Sequence, residues 1–346
     1  MKKMNKITRN NLITYVLVIV LYIIVQAMIM SGSLSSLMQG LLVPLCAYVI
    51  LAVSLNLTVG ILGELSLGHA GFMCVGAFFS AFFSKCTAAS IPAAGVRYFI
   101  ALLIGAAAAG ICGILIGIPV LRLKGDYLAI VTLAFGEIIK NIMNILFVGR
   151  DANGFHFSTK DVMALNMEPD GVVIINGPQG ITGTPKDSTF TVGVLLILMT
   201  LFIVLNLIHS RSGRAIMSIR DNRIAAESIG INVTKYKLMA FSISAALAGV
   251  AGVIYAHNLA TLTAQPKNFG YNMSIMILVF VVLGGIGNIR GSIIAAVVLT
   301  LLPELLRALN DYRMLIYAIV LIAMMLFTSS PAGMAFREQH HCNQHD

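Results

Sequence analysis

The chain has 346 residues and a formal net charge of +9; 58% of its residues are hydrophobic and only 11% are charged. Ordinary globular chains carry about 25% charged residues, so this composition excludes a soluble protein, which would lack the polar residues to cover its surface. The basic residues cluster in short segments between apolar runs. This pattern is typical of membrane proteins and argues against nucleic-acid binding.

Ten apolar stretches approach the length of about 20 residues that a membrane-spanning helix needs. They predict an all-α, polytopic integral membrane protein with about ten transmembrane helices, within a range of eight to ten. The predicted spans are 12–30, 39–59, 65–83, 98–121, 127–148, 190–208, 238–260, 271–289, 292–309 and 314–330. The third and ninth are rich in Gly or carry Pro and charge, so broken or re-entrant segments are expected there. The first is too long for a signal-peptide core and is interpreted as a retained helix.

A single transmembrane domain is predicted over residues 1–346, with two long loops. With ten spans and a cytoplasmic N-terminus, the most basic loop, 210–237, faces the cytoplasm, as do both termini. Loop 149–189 then lies outside. It is rich in Gly, Pro, Asn and Asp and could fold as a small extracytoplasmic cap.

A glycine-rich segment in the third predicted span combines weak helix formers with polar side chains. Glycine weakens a helix, and irregular backbone within a membrane is tolerated only where it is buried in protein or lines a cavity. We therefore expect the segment to border a substrate path. The path residues predicted are Gly63, Ser66, Gly68, His69 and Gly71. The alternative is that Glu64 and His69 satisfy one another or nearby backbone groups.

The basic loop is predicted to contain one short helix between residues 220 and 232. Asp221 or Asn222 can cap its N-terminus, and Gly230 can end it in a left-handed conformation.

The predicted helix is amphipathic. Ala225 and Ile229 share one face, and Arg220, Arg223 and Glu227 share another. A helix lying on anionic lipid is the alternative, but a small Ala-rich face suits a protein groove better.

Two acid–base pairs lie three residues apart: Glu137 with Lys140, and Glu304 with Arg307. At this spacing the charges neutralise one another on a helix, and a structural role is favoured for both pairs.

The sequence lacks the motifs of ATP binding, of two common enzyme classes and of metal binding. The sequence holds no GxxxxGK[ST] loop, so no ATP or other cofactor is expected on this chain, and energy must come from a partner or an ion gradient. It holds no GxSxG or HExxH motif, so it is not predicted to be an enzyme. The five cysteines have no CxxC spacing and no metal site is predicted. The tail residues His340, His341, Cys342 and His345 could hold a metal, but a solvated tail is favoured.

Several motifs carry a family resemblance. Ala225, Ala226 and Glu227, followed by Gly230, resemble the coupling-helix signature of ABC importer permeases. Further matches are GELSLGHAG at 63–71, DYLAIVTLAFGE at 126–137, VVLGGIGN at 281–288 and PELLR at 303–307. Together, from about residue 55 to 332, they resemble the branched-chain amino-acid permease family, in particular the larger of its two permease subunits. The chain departs from that pattern at Asp126, where Gly is frequent, and in its longer outer loop.

The resemblance implies a permease subunit that brings branched-chain or similar small amino acids across the bacterial inner membrane. The implied partners are a second permease subunit, two ATPase subunits that use the ATP, and an extracytoplasmic substrate-binding protein. The implied coupling residues are Arg220, Arg223, Ala225, Ala226, Glu227, Ile229 and Gly230. A permease for urea or short amides is the alternative within the family. Outside it stand an ion-coupled secondary transporter, which usually needs an unpaired carboxylate near mid-membrane, and a polytopic membrane enzyme.

Overall fold

The computed structural model describes residues 6–88, 90–123 and 125–306, together with residues 318, 319, 322 and 326. Helices predominate among them. The α-helices are α1 (Lys6–Met30), α2 (Ser36–Asn56), α3 (His69–Cys86), α4 (Ala94–Val120), α5 (Asp126–Ile145), α6 (Phe190–His209), α7 (Arg211–Asp221), α8 (Arg223–Ser228), α9 (Val233–Ala256), α10 (Pro266–Phe269), α11 (Tyr271–Gly284) and α12 (Ile289–Leu305). The strands are β1 (Phe147–Asp151), β2 (Gly154–Ser158), β3 (Val172–Asn176), β4 (Ile181–Thr182) and β5 (Thr261–Leu262).

Seven helical segments of the described residues are long and apolar enough to cross a membrane. They are Asn11–Met30, Ser36–Leu62, Ala94–Val120, Tyr127–Ile145, Phe190–His209, Val233–Ala256 and Pro266–Gly284. The predicted polytopic, mainly helical membrane architecture is thus confirmed, while the count of ten stays a prediction. Within the same bundle, α3 packs against α4 and α9, and α12 packs against α2 and α11. The predicted tenth span, 314–330, lies almost entirely outside the described residues.

The burial pattern is that of a membrane protein. The core runs through α2, α3 and α9, which pack closely on one another. Large apolar side chains remain exposed on the outer helices, for example Leu115, Leu195 and Phe202. In water such a surface would drive association, whereas in a bilayer it is the lipid-facing surface.

A small β module corrects the all-α prediction. β1 pairs antiparallel with β2 and β3, and β4 pairs antiparallel with β5. The predicted span 127–148 is also too long, because α5 ends at Ile145 and Phe147 already begins β1. Consecutive β-branched residues in β3, Val-Val-Ile-Ile, favour a strand over a loop.

The bundle therefore has two distinct ends. The β module marks the sheet end. From there α6, 20 residues long and so about 30 Å, leads to α7 and α8, which mark the opposite, basic end.

Two helical breaks interrupt the bundle. α2 runs on into a π-helical turn, Leu57–Leu62, and residues 63–68 are irregular before α3 begins at His69. The break predicted in the third span is thus present. A second break, not predicted, lies between α10 and α11, at Gly270.

Candidate functional site

Glycines allow the first break to pack tightly. Gly63 adopts a φ of +79° where the π-helical turn ends, a conformation that side chains with a Cβ rarely adopt. A Cβ on Gly68 would lie 2.6 Å from the carbonyl oxygen of Thr132, and one on Gly71 would lie 2.7 Å from the Cα of Gly136. The start of α3 therefore rests directly on the backbone of α5, and larger residues at these positions require α5 to move.

A buried polar network surrounds His69. Its Nε2 lies 2.9 Å from the Ser244 hydroxyl, and that hydroxyl donates a hydrogen bond of 2.5 Å to the carbonyl oxygen of Ser54. Because the Ser244 hydroxyl donates its only proton to the Ser54 carbonyl oxygen, it can only accept from His69, and the His69 Nε2 is therefore the donor. In the neutral ring this leaves Nδ1 as an acceptor.

Three buried polar atoms of the first break and the start of α3 have no hydrogen-bond partner among the described residues: His69 Nδ1, Ser66 Oγ and Thr58 Oγ1. An unpaired buried polar group costs about 1–3 kcal/mol, and native proteins hold few of them. Each of these atoms therefore keeps an unused hydrogen-bonding position. Ser66 and His69 are thus both buried, on the same stretch of chain that makes the contacts of Gly68 and Gly71 with α5.

Glu64 does not pair with His69, so that part of the alternative is wrong, while satisfaction by nearby backbone groups stays open. Its carboxylate forms an ion pair with Lys237 of α9, while His69 turns toward Ser244. Glu64 lies in the irregular segment 63–68, and His69 follows directly after it. The turn at Gly63 directs Glu64 toward the first turns of α9.

The basic loop forms two helices where one was predicted between residues 220 and 232. Asn222 ends α7 and caps α8, with its side-chain oxygen accepting from the Ala225 amide at 3.0 Å. Its extended backbone, with φ of −154° and ψ of 104°, breaks the helix between them. Gly230 adopts a φ of +86°, as predicted for the residue that ends the helix.

The exposed surface of α8 carries apolar side chains beside an ion pair, and its apolar members differ in part from those expected. Ile224 is 80% exposed and Ile229 is 75% exposed, and Ala225 is also exposed. Ala226, in contrast, is only 1% exposed and packs against Ile219 and Val233. Ala226 therefore supports α8 from inside the loop and does not belong to its outer surface.

The charged residues of the loop take two different roles. Arg223 and Glu227 form an exposed ion pair of 3.0 Å along α8. Arg220 pairs with Asp221 and also donates a hydrogen bond of 2.9 Å to the carbonyl oxygen of Gly60 in the π-helical turn. The basic loop is thus joined to the glycine-rich break, a link that no sequence pattern indicated.

The predicted pair of Glu137 and Lys140 is confirmed. Glu137 also accepts a hydrogen bond of 2.7 Å from the backbone amide of Tyr271, at the start of α11. Arg307, the predicted partner of Glu304, lies outside the described residues.

Other polar residues of the site were missed from the sequence: Ser54, Thr132, Lys237 and Ser244. Each lies in an apolar helix, and a polar residue at membrane depth is the one signal that could have indicated them. No group of three or more His, Cys, Asp or Glu suited to a metal ion occurs within the part of the chain that the structure describes. The tail with His340, His341, Cys342 and His345 lies outside that part.

Comparisons with known proteins place the chain in a family. Residues 37–328 match the family model described as the permease component of the branched-chain amino acid transport system. The chain is 34% identical over 289 residues to the high-affinity branched-chain amino acid transport system permease protein LivM of Salmonella typhimurium, and equally to that of Escherichia coli. These alignments cover 81% of this chain and 66% of each relative, so the chain spans just under two thirds of their length.

More distant similarity extends to sugar permeases. The ribose import permease protein RbsC of Escherichia coli is 33% identical over 126 residues, which is 34% of this chain and 39% of that protein. No solved structure matches the chain significantly. Because the family model covers most of the sequence, the chain belongs to the family of permease components of branched-chain amino acid transport systems.

Proposed function

We propose that the chain is a membrane-spanning permease subunit of an ABC importer for branched-chain amino acids, driven by ATP hydrolysis on two partner ATPase subunits. A second permease subunit completes the translocation path, and an extracytoplasmic binding protein delivers the substrate. The family membership and the names of the LivM relatives support the substrate class. The alternative within the family is a permease for urea or short amides.

The observation that carries the coupling role is the outward face of α8. Its exposed isoleucines are Ile224 on the helix and Ile229 directly after the helix ends, and Ala226 packs the helix against the inside of the loop. A helix of six residues is too short to be stable alone, so this support keeps it in place for a partner. In the proposed orientation the basic end faces the cytoplasm, where ATPase subunits bind, and the β module faces outside.

Coupling also needs a route from α8 to the membrane interior, and two contacts supply one. Arg220 donates a hydrogen bond to the Gly60 carbonyl oxygen, and Lys237 forms an ion pair with Glu64 in the same break. Movement of the basic loop would therefore displace the π-helical turn and, with it, the start of α3. We propose that Gly63, Ser66, Gly68, His69 and Gly71 border the substrate path at that point.

The function is tested by reconstituting the chain with its partner permease, ATPases and binding protein in proteoliposomes. Uptake of labelled leucine, isoleucine or valine that requires ATP is the expected result. Uptake of urea or acetamide in preference to all three would select the alternative within the family. Uptake driven by an ion gradient without ATP would contradict the coupling proposal.

A further inference from the structure

The second helical break lies deep in the bundle. The carbonyl oxygen of Ala264 accepts a hydrogen bond of 3.0 Å from Asn144, near the end of α5. The Tyr271 amide bonds to Glu137 on the same helix. Seven residues of helix separate Asn144 from Glu137, which corresponds to about 10 Å. Residues 264–271 therefore descend along α5 from the sheet end toward the bundle interior.

Glu137 itself lies near the middle of α5. The helix runs from Asp126 to Ile145, and Glu137 lies eleven residues after its start, about 17 Å along the axis. A bilayer core is about 30 Å thick, so the carboxylate sits close to half depth.

Both polar and apolar side chains are exposed beside Glu137, and Ile138 and Ile142 of α5 are among the apolar ones. A set of exposed or half-buried polar side chains, which we call the polar stripe, lies on α5, α10 and α11 between the sheet end and this depth. We define this polar stripe as Gln265, Lys267, Asn268, Asn141, Asn272 and Tyr271, with Glu137 at its inner end. Polar side chains and non-helical backbone are not tolerated against lipid at membrane depth. The stripe therefore faces water or protein.

The Glu137 carboxylate keeps unused acceptor capacity. Oε1 accepts from the Tyr271 amide and Oε2 from Lys140, which occupies two of about four lone-pair positions. The Glu137 side chain is 25% exposed, whereas that of Lys140 is 8% exposed. At the inner end of the stripe, the Glu137 carboxylate is therefore more accessible than the Lys140 ammonium group.

We propose that Glu137 binds the ammonium group of an amino-acid substrate as it passes along the polar stripe. This rests on the proposed function, and it narrows the substrate class to molecules that carry an ammonium group, which sugars and urea lack. A carboxylate at half depth offers such a cation a charge-assisted hydrogen bond where water is scarce. The Tyr271 amide and Lys140 hold the carboxylate in place.

The test uses the complete reconstituted complex with binding protein loaded with L-leucine. Glu137→Gln keeps an oxygen to accept from the Tyr271 amide and removes the charge. We expect leucine uptake to fall at least tenfold while ATP hydrolysis stimulated by the binding protein stays within twofold. Glu137→Asp should recover part of the uptake.

Two further variants test whether the ion pair of Glu137 and Lys140 has only a structural role. Glu137→Gln combined with Lys140→Gln leaves no unpaired cation, and uptake should remain as low as in the single variant. Asp187→Asn removes the carboxylate from the buried ion pair with Arg97, which lies outside the stripe. It should lower stability but retain uptake per assembled complex within twofold.

Normal uptake by Glu137→Gln, or recovery of uptake in the double variant, would overturn the inference. So would an equal loss in Asp187→Asn. Failure of the unsubstituted complex to take up any branched-chain amino acid would refute the proposed function itself, and the inference with it.

Discussion

The Arg220 guanidinium donates a hydrogen bond of 2.9 Å to the carbonyl oxygen of Gly60, 160 residues away in sequence. A Cβ on the neighbouring Gly63 would lie 2.5 Å from Cγ of Arg220, so the arginine stem also covers the end of the π-helical turn. The contact joins the basic loop to the break that precedes α3.

Arg220→Ala should uncouple the loop from that break. A hydrogen bond from a charged donor contributes about 1.5–3 kcal/mol, and we expect uptake to fall about tenfold while the ATPase subunits still copurify. Arg214→Ala is the matched control, since Arg214 lies on α7, donates to the His209 carbonyl and does not contact the break. Equal uptake by Arg220→Ala and the unsubstituted complex would show that the contact is dispensable.

The proposed orientation can be tested by cysteine labelling of cells in a cysteine-free background. Ala152→Cys lies at the exposed turn between β1 and β2, and Thr234→Cys lies at the exposed start of α9. A membrane-impermeant maleimide added outside should label the Ala152→Cys variant. The Thr234→Cys variant should react only after the membrane is permeabilised. Labelling of both positions in intact cells would contradict the ten-span topology, in which α6 crosses the membrane between them.

Gly68→Leu should abolish uptake while the complex still assembles. A side chain at this position meets the backbone of Thr132 at 2.6 Å, so α3 and α5 must separate. Gly68→Ala should cause a smaller loss in the same direction. Gly40→Leu is the control, because a Cβ at Gly40 has no neighbour within 4 Å among the described residues. Normal uptake kinetics in Gly68→Leu would remove the segment from the transport path.

Ser66→Ala separates a role in transport from a role in stability. The Ser66 hydroxyl is buried and has no partner among the described residues, so its removal should leave the Tm of the complex unchanged or slightly higher. Uptake should nevertheless fall several-fold if the hydroxyl contacts substrate. Ser244→Ala should instead lower stability by about 1–3 kcal/mol, because it leaves the buried His69 Nε2 without its partner. Unchanged uptake by Ser66→Ala would exclude the hydroxyl from the path.

Local features of the loop and of the first break were predictable from the sequence. Asn222 as a cap and Gly230 in a left-handed conformation depend only on neighbouring residues. The break before His69 followed from the density of glycines.

Features that depend on distant parts of the chain were not predictable. A helical wheel separated the faces of α8 but could not show that Ala226 packs against Ile219 and Val233. The partners Lys237 for Glu64 and Tyr271 for Glu137 lie 173 and 134 residues away. The descent of residues 264–271 was missed because the predicted span 271–289 is predominantly apolar, and apolar composition does not reveal the depth at which a helix begins.

The central claim is that α8 docks in a cleft on an ATPase subunit. Substitution of Ala226 is a poor test, because an arginine there would disrupt the inside of the loop. Ile224→Arg is suitable, since the side chain already projects outward and the change places a charge in the contact without disturbing the fold. Met163→Arg, at an exposed apolar residue of the β module, is the matched control.

The decisive measurement is copurification of the ATPase subunits with the Ile224→Arg variant, together with transport in proteoliposomes. Burial of an unpaired charge costs several kcal/mol, so we expect the ATPases and uptake to be lost together, while the variant still inserts into the membrane and Met163→Arg retains its ATPases. A helix that merely lies on anionic lipid predicts the reverse, because an added arginine strengthens that attraction. Retention of the ATPases with undiminished uptake in Ile224→Arg would contradict the coupling role of α8.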